Sequence, residues 1–335
     1  MKTLYGIQYL RALAAIAVVL FHAAERTDYA FAIGAAGVDV FFVISGFIMW
    51  VISENRPASP ARFLSDRLRR IVPVYWLATA VMVLGGIVGL FPNLILSLQH
   101  VLASLFFVPM RSPSNGEIWP VLVQGWTLNF EMFFYAAFAA ALFLPRNLRL
   151  PMLGALFAAL VILGATISSD NPLFLTYTRP IILEFVAGMA LGALWLKGFV
   201  PKVRIGGFLL ALSLGGFATI ALLRLPFDER ICGPLAVTLV LGTLSLEANS
   251  MVRHASIPAF LGNASYSIYL WHTFAISVAV KLGMGLHMPV PLVFAVAVMA
   301  GVVAGSLAYL FVEKPLIRVF QRRPASPRMR LREAR

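Results

Sequence analysis

Ten apolar stretches, each close to the length needed to cross a lipid bilayer, constrain the fold of this chain more than any other feature. A spanning helix needs about 20 predominantly apolar residues. Hydrophobic residues make up 60% of the 335 residues and charged residues 12%, whereas soluble domains are about 45–50% apolar and about 25% charged. We therefore predict an all-α polytopic membrane helix bundle and exclude a soluble enzyme and a disordered chain. The predicted spans are residues 7–23, 34–52, 71–91, 122–144, 151–168, 179–196, 206–223, 231–247, 260–281 and 289–312.

An eleventh apolar stretch, residues 94–109, is shorter and ends at a proline. The distribution of basic residues indicates whether it crosses the membrane, because cytoplasmic loops carry an excess of Lys and Arg. The loop 53–70 contains five arginines, and ten crossings place the later basic clusters on the same side as this loop. Eleven crossings would place them on the opposite side. We therefore predict ten spans, a re-entrant or half-helix near 94–109, and both termini in the cytoplasm of a bacterial inner membrane.

Charge and cysteine content exclude further classes of protein. The formal net charge is +13, but most basic residues lie in short loops and in the tail, where they set orientation in a bilayer. We therefore expect membrane lipids, and no nucleic acid, as partners. The single cysteine, Cys232, excludes a disulfide framework, and no Cys-x-x-Cys pair is present to suggest a metal site, so we expect no metal.

Several ionisable residues lie within the predicted spans, where a charge at the helix centre costs about 2.5–3.5 kcal/mol and marks a functional candidate. Arg11 and His22 are eleven positions apart on the first span. Eleven steps of 100° place them on one helix face, about 16 Å apart in height. A snorkelling arginine and an interfacial histidine are an alternative explanation of this pair. The predicted topology also brings five groups to one depth, and this favours a polar cavity open to the non-cytoplasmic side; they are His22, Asp39, Glu131, Glu184 and His272.

An arginine cluster precedes the third predicted span, at Arg67, Arg69 and Arg70. The planar guanidinium group donates two parallel hydrogen bonds and therefore suits phosphate recognition. Arginines at a cytoplasmic helix end also orient a span and bind lipid headgroups. The cluster alone leaves both interpretations open.

Six segments together resemble the bacterial membrane-bound acyltransferases of type 3, enzymes that O-acylate exopolysaccharides, O-antigens and related glycans. Each segment is weak alone, but the six occur in order and cover nearly the whole chain. The size is most similar to the ExoZ-type exopolysaccharide acetyltransferases. The segments are Arg11-x10-His22, 37–47 (GVDVFFVISGF), Arg67-x-x-Arg70, 126–135 (WTLNFEMFFY), 266–272 (YSIYLWH) and 312–315 (VEKP).

The resemblance implies a membrane acyltransferase domain over residues 1–313, followed by a basic cytoplasmic tail at 314–335. It implies transfer of an acyl group, with acetyl as our expectation, from cytoplasmic acyl-CoA to a hydroxyl of a lipid-linked or exported glycan. Acyl-CoA, here acetyl-CoA, would act as a co-substrate, and no permanently bound cofactor is expected. A secondary transporter and a polysaccharide-export assembly factor are the alternatives, since a transporter also carries polar groups at the midplane.

The resemblance also implies roles for individual residues. His22 is the leading catalytic candidate, because a neutral histidine can take the proton of a sugar hydroxyl. Arg11, Asp39 and Glu131 are the further catalytic candidates, and Arg67 and Arg70 are expected to hold the CoA phosphates. Residues expected to line the substrate site are Trp126, Arg179, Glu184, Tyr269 and His272.

Three polar residues have simpler explanations in the sequence. Ser45 could carry an acyl group, but a serine in a membrane helix commonly bonds to its own backbone or allows close helix packing. His100 is expected in a solvated loop. Glu313 precedes Lys314-Pro315 and is expected to mark a helix end, since a residue before proline leaves the helical region.

Overall fold

The computed structural model describes residues 3–321, which form a helical bundle without β-strands in that range. Short 3-10 segments, Ala32–Ala36 and Pro180–Ile182, lead into the second and eighth helices, and a π-helical segment, Tyr309–Glu313, joins the last two. The helices are α1 (Tyr5–Arg26), α2 (Gly37–Asn55), α3 (Pro60–Ile87), α4 (Leu98–Leu105), α5 (Gly125–Ala141), α6 (Arg146–Thr166), α7 (Pro172–Tyr177), α8 (Leu183–Leu196), α9 (Val203–Leu222), α10 (Glu229–Ala248), α11 (Ser256–Gly285), α12 (Val290–Ala308) and α13 (Lys314–Gln321).

The predicted all-α membrane bundle is confirmed. In the described residues, eight helices are long and apolar enough to cross a bilayer, and Pro180–Leu196 is a shorter apolar helix. Helix α5 occupies another predicted span but has only 17 residues. The stretch 94–109 contains only the eight residues of α4, a length of about 12 Å. Helix α4 is therefore too short to cross a membrane by itself.

The segment 53–70, predicted as a loop, is largely helical. Helix α3 begins at Pro60 and continues for 28 residues, so the arginine cluster lies on its first turns. The side chain of Ser59 accepts a hydrogen bond from the backbone N–H of Arg62. A serine N-cap followed by proline at the first helical position is a strong helix start, and it explains why the helix begins before the apolar span.

The chain also remains helical beyond Glu313, which contradicts the expected helix end at this residue. Pro315 lacks an N–H, and its ring would clash with the carbonyl of Phe311 in a regular α-helix. The π-helical turn at Tyr309–Glu313 widens the backbone at this point, and α13 continues to Gln321. The predicted tail, 314–335, therefore starts as helix, and its residues 322–335 lie outside the described residues.

Close helix contacts fix the centre of the bundle. A Cβ atom added to Gly46 on α2 would lie 2.1 Å from the carbonyl oxygen of Phe185, and one added to Gly188 on α8 would lie 2.0 Å from that of Val43. Only glycine allows two backbones to approach this closely, a common device in membrane helix packing. Helix α2 is therefore held directly against α8.

The first turn of α1 is held by a carboxylate from another helix. Glu247 on α10 accepts hydrogen bonds from the backbone N–H of Tyr5 at 3.2 Å and of Gly6 at 2.6 Å. The first N–H groups of a helix have no partner within it, and a negative charge there also complements the helix dipole. This cap fixes the axial position of α1, and with it the heights of Arg11 and His22.

Candidate active site

Helix α1 contributes to two separate cavities. Arg11 lines one of them and His22 lines the other. The sequence placed both residues on one face of a helix, but the structure puts them in different compartments of the bundle. We call these compartments the arginine cavity and the histidine cavity.

The arginine cavity has a volume of about 110 Å³ and brings together α1, α2, α3, α5 and α11. Arg11, Arg67 and Arg70 line it, and Glu131 is the one carboxylate among its described lining residues. The Nε atom of Arg67 is buried and has no hydrogen-bond partner among the described residues. The cavity therefore combines excess positive charge with an unsatisfied donor, a combination that favours an anionic ligand.

Glu131 belongs to this cavity and not to the one that contains His22. Its Oε1 atom accepts hydrogen bonds from the hydroxyl of Tyr135 and, at 3.2 Å, from that of Ser45. The sequence placed Glu131 at the same depth as His22, whereas the structure places it with the arginines. Ser45 bonds to this carboxylate, and so the expected bond to its own helix backbone is not what the structure contains.

The histidine cavity is larger, about 840 Å³, and its lining combines charged and aromatic residues. The Nδ1 atom of His22 lies 2.9 Å from Oε2 of Glu25, one turn further along α1. With the carboxylate as acceptor, Nδ1 carries the proton and Nε2 is left as a base. Glu25 is not among the candidates predicted from the sequence, although its spacing of three residues from His22 on a helix is a usable signal.

His272 packs beside His22, with ring centroids 5.1 Å apart. It is fully buried, and its Nδ1 atom lies 2.9 Å from the carbonyl oxygen of Ile268. Because that carbonyl can only accept, Nδ1 carries the proton, and the unprotonated Nε2 has no partner among the described residues. The contact limits the orientations available to the His22 ring.

Two of the residues expected to line a substrate site, Trp126 and Arg179, line the histidine cavity. The guanidinium carbon of Arg179 lies 5.4 Å from the ring centre of Trp126 and 5.7 Å from that of Phe130. Its Nη2 atom is 2.5 Å from Oε2 of Glu229. Cation–π contacts and an ion pair thus fix this arginine at the wall of the cavity.

Asp39 and Glu184 lie apart from both cavities. Both side chains are buried, on helices α2 and α8, which pack directly against each other, and none of their four carboxylate oxygens has a hydrogen-bond partner among the described residues. Neither is among the residues that line the two cavities. The five groups expected at one depth therefore divide into three sets: His22 with His272, Asp39 with Glu184, and Glu131 with the arginines.

His100 is also placed differently from the sequence expectation. It is 1% exposed, and its Nε2 atom bonds to the carbonyl oxygen of Trp119 at 2.8 Å. The neighbouring Ser104 accepts a hydrogen bond from the backbone N–H of Val121, while its own carbonyl accepts one from Tyr75. Helix α4 thus holds the segment that leads into α5 and the wall of the histidine cavity.

Comparisons with known proteins agree with this architecture. A family model described as an acyltransferase domain (Acyl_transf_3) matches residues 4–311. The exopolysaccharide production protein ExoZ of Rhizobium meliloti (strain 1021) is 65% identical over 300 residues, which cover 90% of this chain and 95% of ExoZ. No solved structure matches the chain.

More distant relatives are longer proteins. The peptidoglycan O-acetyltransferase OatA of Listeria monocytogenes is 26% identical over 94% of this chain and 56% of its own length. The O-acetyltransferase OatA of Staphylococcus aureus (strain NCTC 8325) is 24% identical over 94% of this chain and 57% of its own length. The match to the family model extends over nearly all of the helical bundle. The chain therefore belongs to the type 3 acyltransferase family of multi-pass membrane proteins.

Proposed function

We propose that this protein O-acetylates a cell-surface or exported glycan, with acetyl-CoA as the donor and a sugar hydroxyl as the acceptor. The observation that carries the proposal is the division of the bundle into a positively charged cavity with three arginines and a larger cavity with a histidine base. Two substrates of different chemistry would each have a compartment. The names of the relatives, an exopolysaccharide production protein and O-acetyltransferases, support a glycan acceptor.

The arginine cavity is the proposed donor site. CoA carries phosphate groups, and the planar forks of Arg67 and Arg70 match phosphate oxygens in geometry and charge. Arg11 lies deeper on α1 and would hold the carbonyl-rich pantetheine arm. The arginine end of the bundle would then face the cytoplasm, where acyl-CoA is found, and the excess of basic residues expected on that side supports this orientation.

The histidine cavity is the proposed acceptor site. The Nε2 atom of His22 would take the proton of the sugar hydroxyl as its oxygen attacks the thioester carbonyl. The new C–O bond replaces the C–S bond, and the imidazolium returns the proton to the leaving thiolate of CoA. Glu25 holds the His22 ring in the required tautomer. General-base assistance of this kind contributes about 10²–10⁴-fold.

The negative charge on the thioester oxygen also needs a stabilising group. Arg26 is four residues beyond His22 on α1 and lines the same cavity. Residues four apart share a helix face, so this guanidinium group is our candidate for that role. The proposed site would thus draw its base, its orienting carboxylate and its cation from the last turn of one helix.

Mass spectrometry of surface glycans tests the proposed function. Cells that lack the protein should lose O-acetyl groups from one glycan, and the native chain should restore them. A chain with His22→Ala should reach the membrane in normal amount and restore none. Unchanged acetylation without the protein would reject the proposal. If the protein were a secondary transporter, the purified protein would not acetylate a glycan. If it were an export factor, His22→Ala would leave acetylation of the surface glycan unchanged.

A further inference from the structure

The two cavities approach each other between α5 and α11. Thr127 on α5 and Tyr269 on α11 line the arginine cavity. Gln124, just before α5, and Thr273, one turn beyond Tyr269, line the histidine cavity. No described residue lines both cavities. These four side chains therefore stand between the proposed donor and acceptor sites, and we call them the septum.

Hydrogen bonds across the septum hold it closed. Tyr269 donates from its hydroxyl to the carbonyl oxygen of Gln124 at 3.2 Å, and Thr127 lies 3.0 Å from that hydroxyl. The side-chain amide of Gln124 donates to Thr273 at 2.6 Å. Each bond joins α5 or the residue before it to α11. All of them are neutral and each involves a side chain, so rotation of the side chains can break the contact without moving either helix.

Aromatic contacts connect the Tyr269 ring to Phe41 of the arginine cavity and, through His272, to His22 of the histidine cavity. The ring packs edge-on against Phe41 at 6.2 Å and lies 6.2 Å from the ring of His272. His272 in turn contacts His22. The Tyr269 ring therefore lies beside a direct route for an acyl group from the arginine cavity to His22.

We propose that the septum is a gate, opened by rotation of Tyr269, and that the width of the opened passage determines the size of the acyl group transferred. The inference rests on the proposed function, because it takes the arginine cavity as the entry of the donor. It assigns to Tyr269 and Gln124 a positioning role that does not require contact with the reacting atoms. The closed septum would also prevent water and protons from crossing the bundle between catalytic cycles.

A leak measurement tests the gate without donor or acceptor. The protein is reconstituted in liposomes that enclose a pH-sensitive dye, and proton entry is followed after an external acid pulse. Tyr269→Phe removes the hydroxyl and its contacts with Gln124 and Thr127. Because two neutral hydrogen bonds are lost, the fraction of protein with an open septum should rise roughly tenfold, and the rate of proton entry should rise with it. Tyr269→Ala should leak more, because the ring is lost as well.

Tyr177→Ala and Tyr177→Phe are the matched controls. Tyr177 lines neither cavity, and its hydroxyl bonds to the carbonyl oxygen of Phe107 at 3.4 Å, away from the septum. The control variants should remain as tight to protons as the native protein. If proton entry with Tyr269→Phe and Tyr269→Ala is as slow as with these controls, Tyr269 is not a gate.

Acyl-group selection is the second measurement. The rates of transfer from acetyl-, propionyl- and butyryl-CoA are compared at equal concentration. Tyr269→Ala should raise the butyryl-to-acetyl ratio several-fold over the native ratio, while Tyr177→Ala should leave it unchanged. An unchanged ratio in Tyr269→Ala would refute the selection role. If the native protein transfers no acyl group, the proposed function is rejected instead. The leak measurement would still show whether Tyr269 closes the passage between the cavities.

Discussion

Arg11 and His22 lie eleven residues apart on α1, yet Arg11 opens into the arginine cavity and His22 into the histidine cavity. At 1.5 Å per residue, about 16 Å of helix separates them. One rigid helix, capped by Glu247 at its start, therefore sets the distance between the proposed donor and acceptor sites.

The first prediction concerns His22 as the base. We expect His22→Ala to lower the rate of acyl transfer by about 10²–10⁴-fold, with little change in the KM for acyl-CoA, because the arginine cavity is unaltered. His254→Ala is the control, since His254 is exposed and lies outside both cavities. Steady-state kinetics of the purified variants provide the measurement. If His22→Ala transfers acyl groups at the native rate, His22 is not the catalytic base.

The second prediction concerns Glu25, which orients His22 through the contact at 2.9 Å. We expect Glu25→Gln to lower the maximal rate roughly tenfold, less than His22→Ala, because Glu25 is half exposed and the charge-assisted bond is weakened by solvent. The control is Glu117→Gln, which removes another carboxylate from the same cavity. If both variants lose the same activity, Glu25 acts only through the charge of the cavity.

The third prediction concerns Arg67 and Arg70, which line the arginine cavity. We expect Arg67→Lys and Arg70→Lys to raise the KM for acyl-CoA, with a smaller change in the maximal rate, because lysine does not reproduce bidentate phosphate binding. Arg69→Lys is the control, since Arg69 is exposed and does not line the cavity. Kinetics with the donor varied at saturating acceptor test this. If Arg69→Lys raises the KM for acyl-CoA as much as Arg67→Lys and Arg70→Lys do, the arginine cavity is not a specific phosphate site.

The fourth prediction concerns Glu131, the carboxylate placed among the arginines. Its negative charge opposes an anionic donor, so Glu131→Gln should lower the KM for acyl-CoA and leave the KM for the glycan unchanged. Loss of the bonds from Ser45 and Tyr135 should also lower the maximal rate. If Glu131→Gln alters the KM for the glycan and leaves the KM for acyl-CoA at its native value, Glu131 belongs to the acceptor site.

The fifth prediction concerns topology. We expect position 57 to face the cytoplasm and position 30 the opposite side, because the α2–α3 connection lies next to the arginine cluster and residue 30 follows the His22 end of α1. Single cysteines are introduced as Pro57→Cys and Ala30→Cys in a Cys232→Ala background. An impermeant thiol reagent added to intact cells should label only position 30. Labelling of position 57 from outside would invert the assignment of the two cavities.

The sequence predicted the helices well and the grouping of site residues only in part. Apolar length gives each span directly, because lipid requires every backbone group to be bonded within a helix. Depth along a helix also follows from counting, but which neighbour a polar residue faces depends on rotation about the helix axis. Glu131 shows this, because its depth resembled that of His22 while its side chain turns towards Ser45 and the arginines.

A local signal accounts for one other difference, and tertiary contacts account for the rest. The Ser59-Pro60 cap extended α3 through the arginine cluster, and this pair is readable in the sequence. The burial of His100 is not readable, because it depends on a carbonyl 19 residues away, that of Trp119. The septum is also a tertiary feature, since it joins Gln124 and Thr127 to side chains more than 140 residues later.

Acyl transfer across a bilayer is the sharpest test of separate donor and acceptor sites. The protein is reconstituted in liposomes with radiolabelled acetyl-CoA on one side and chemically deacetylated exopolysaccharide on the other. Separate donor and acceptor cavities predict that label appears on the polysaccharide across the membrane, and that His22→Ala and Arg67→Lys both reduce it. Label that appears only when donor and acceptor share one side, or no label at all, would rule out acyl transfer between two separate cavities.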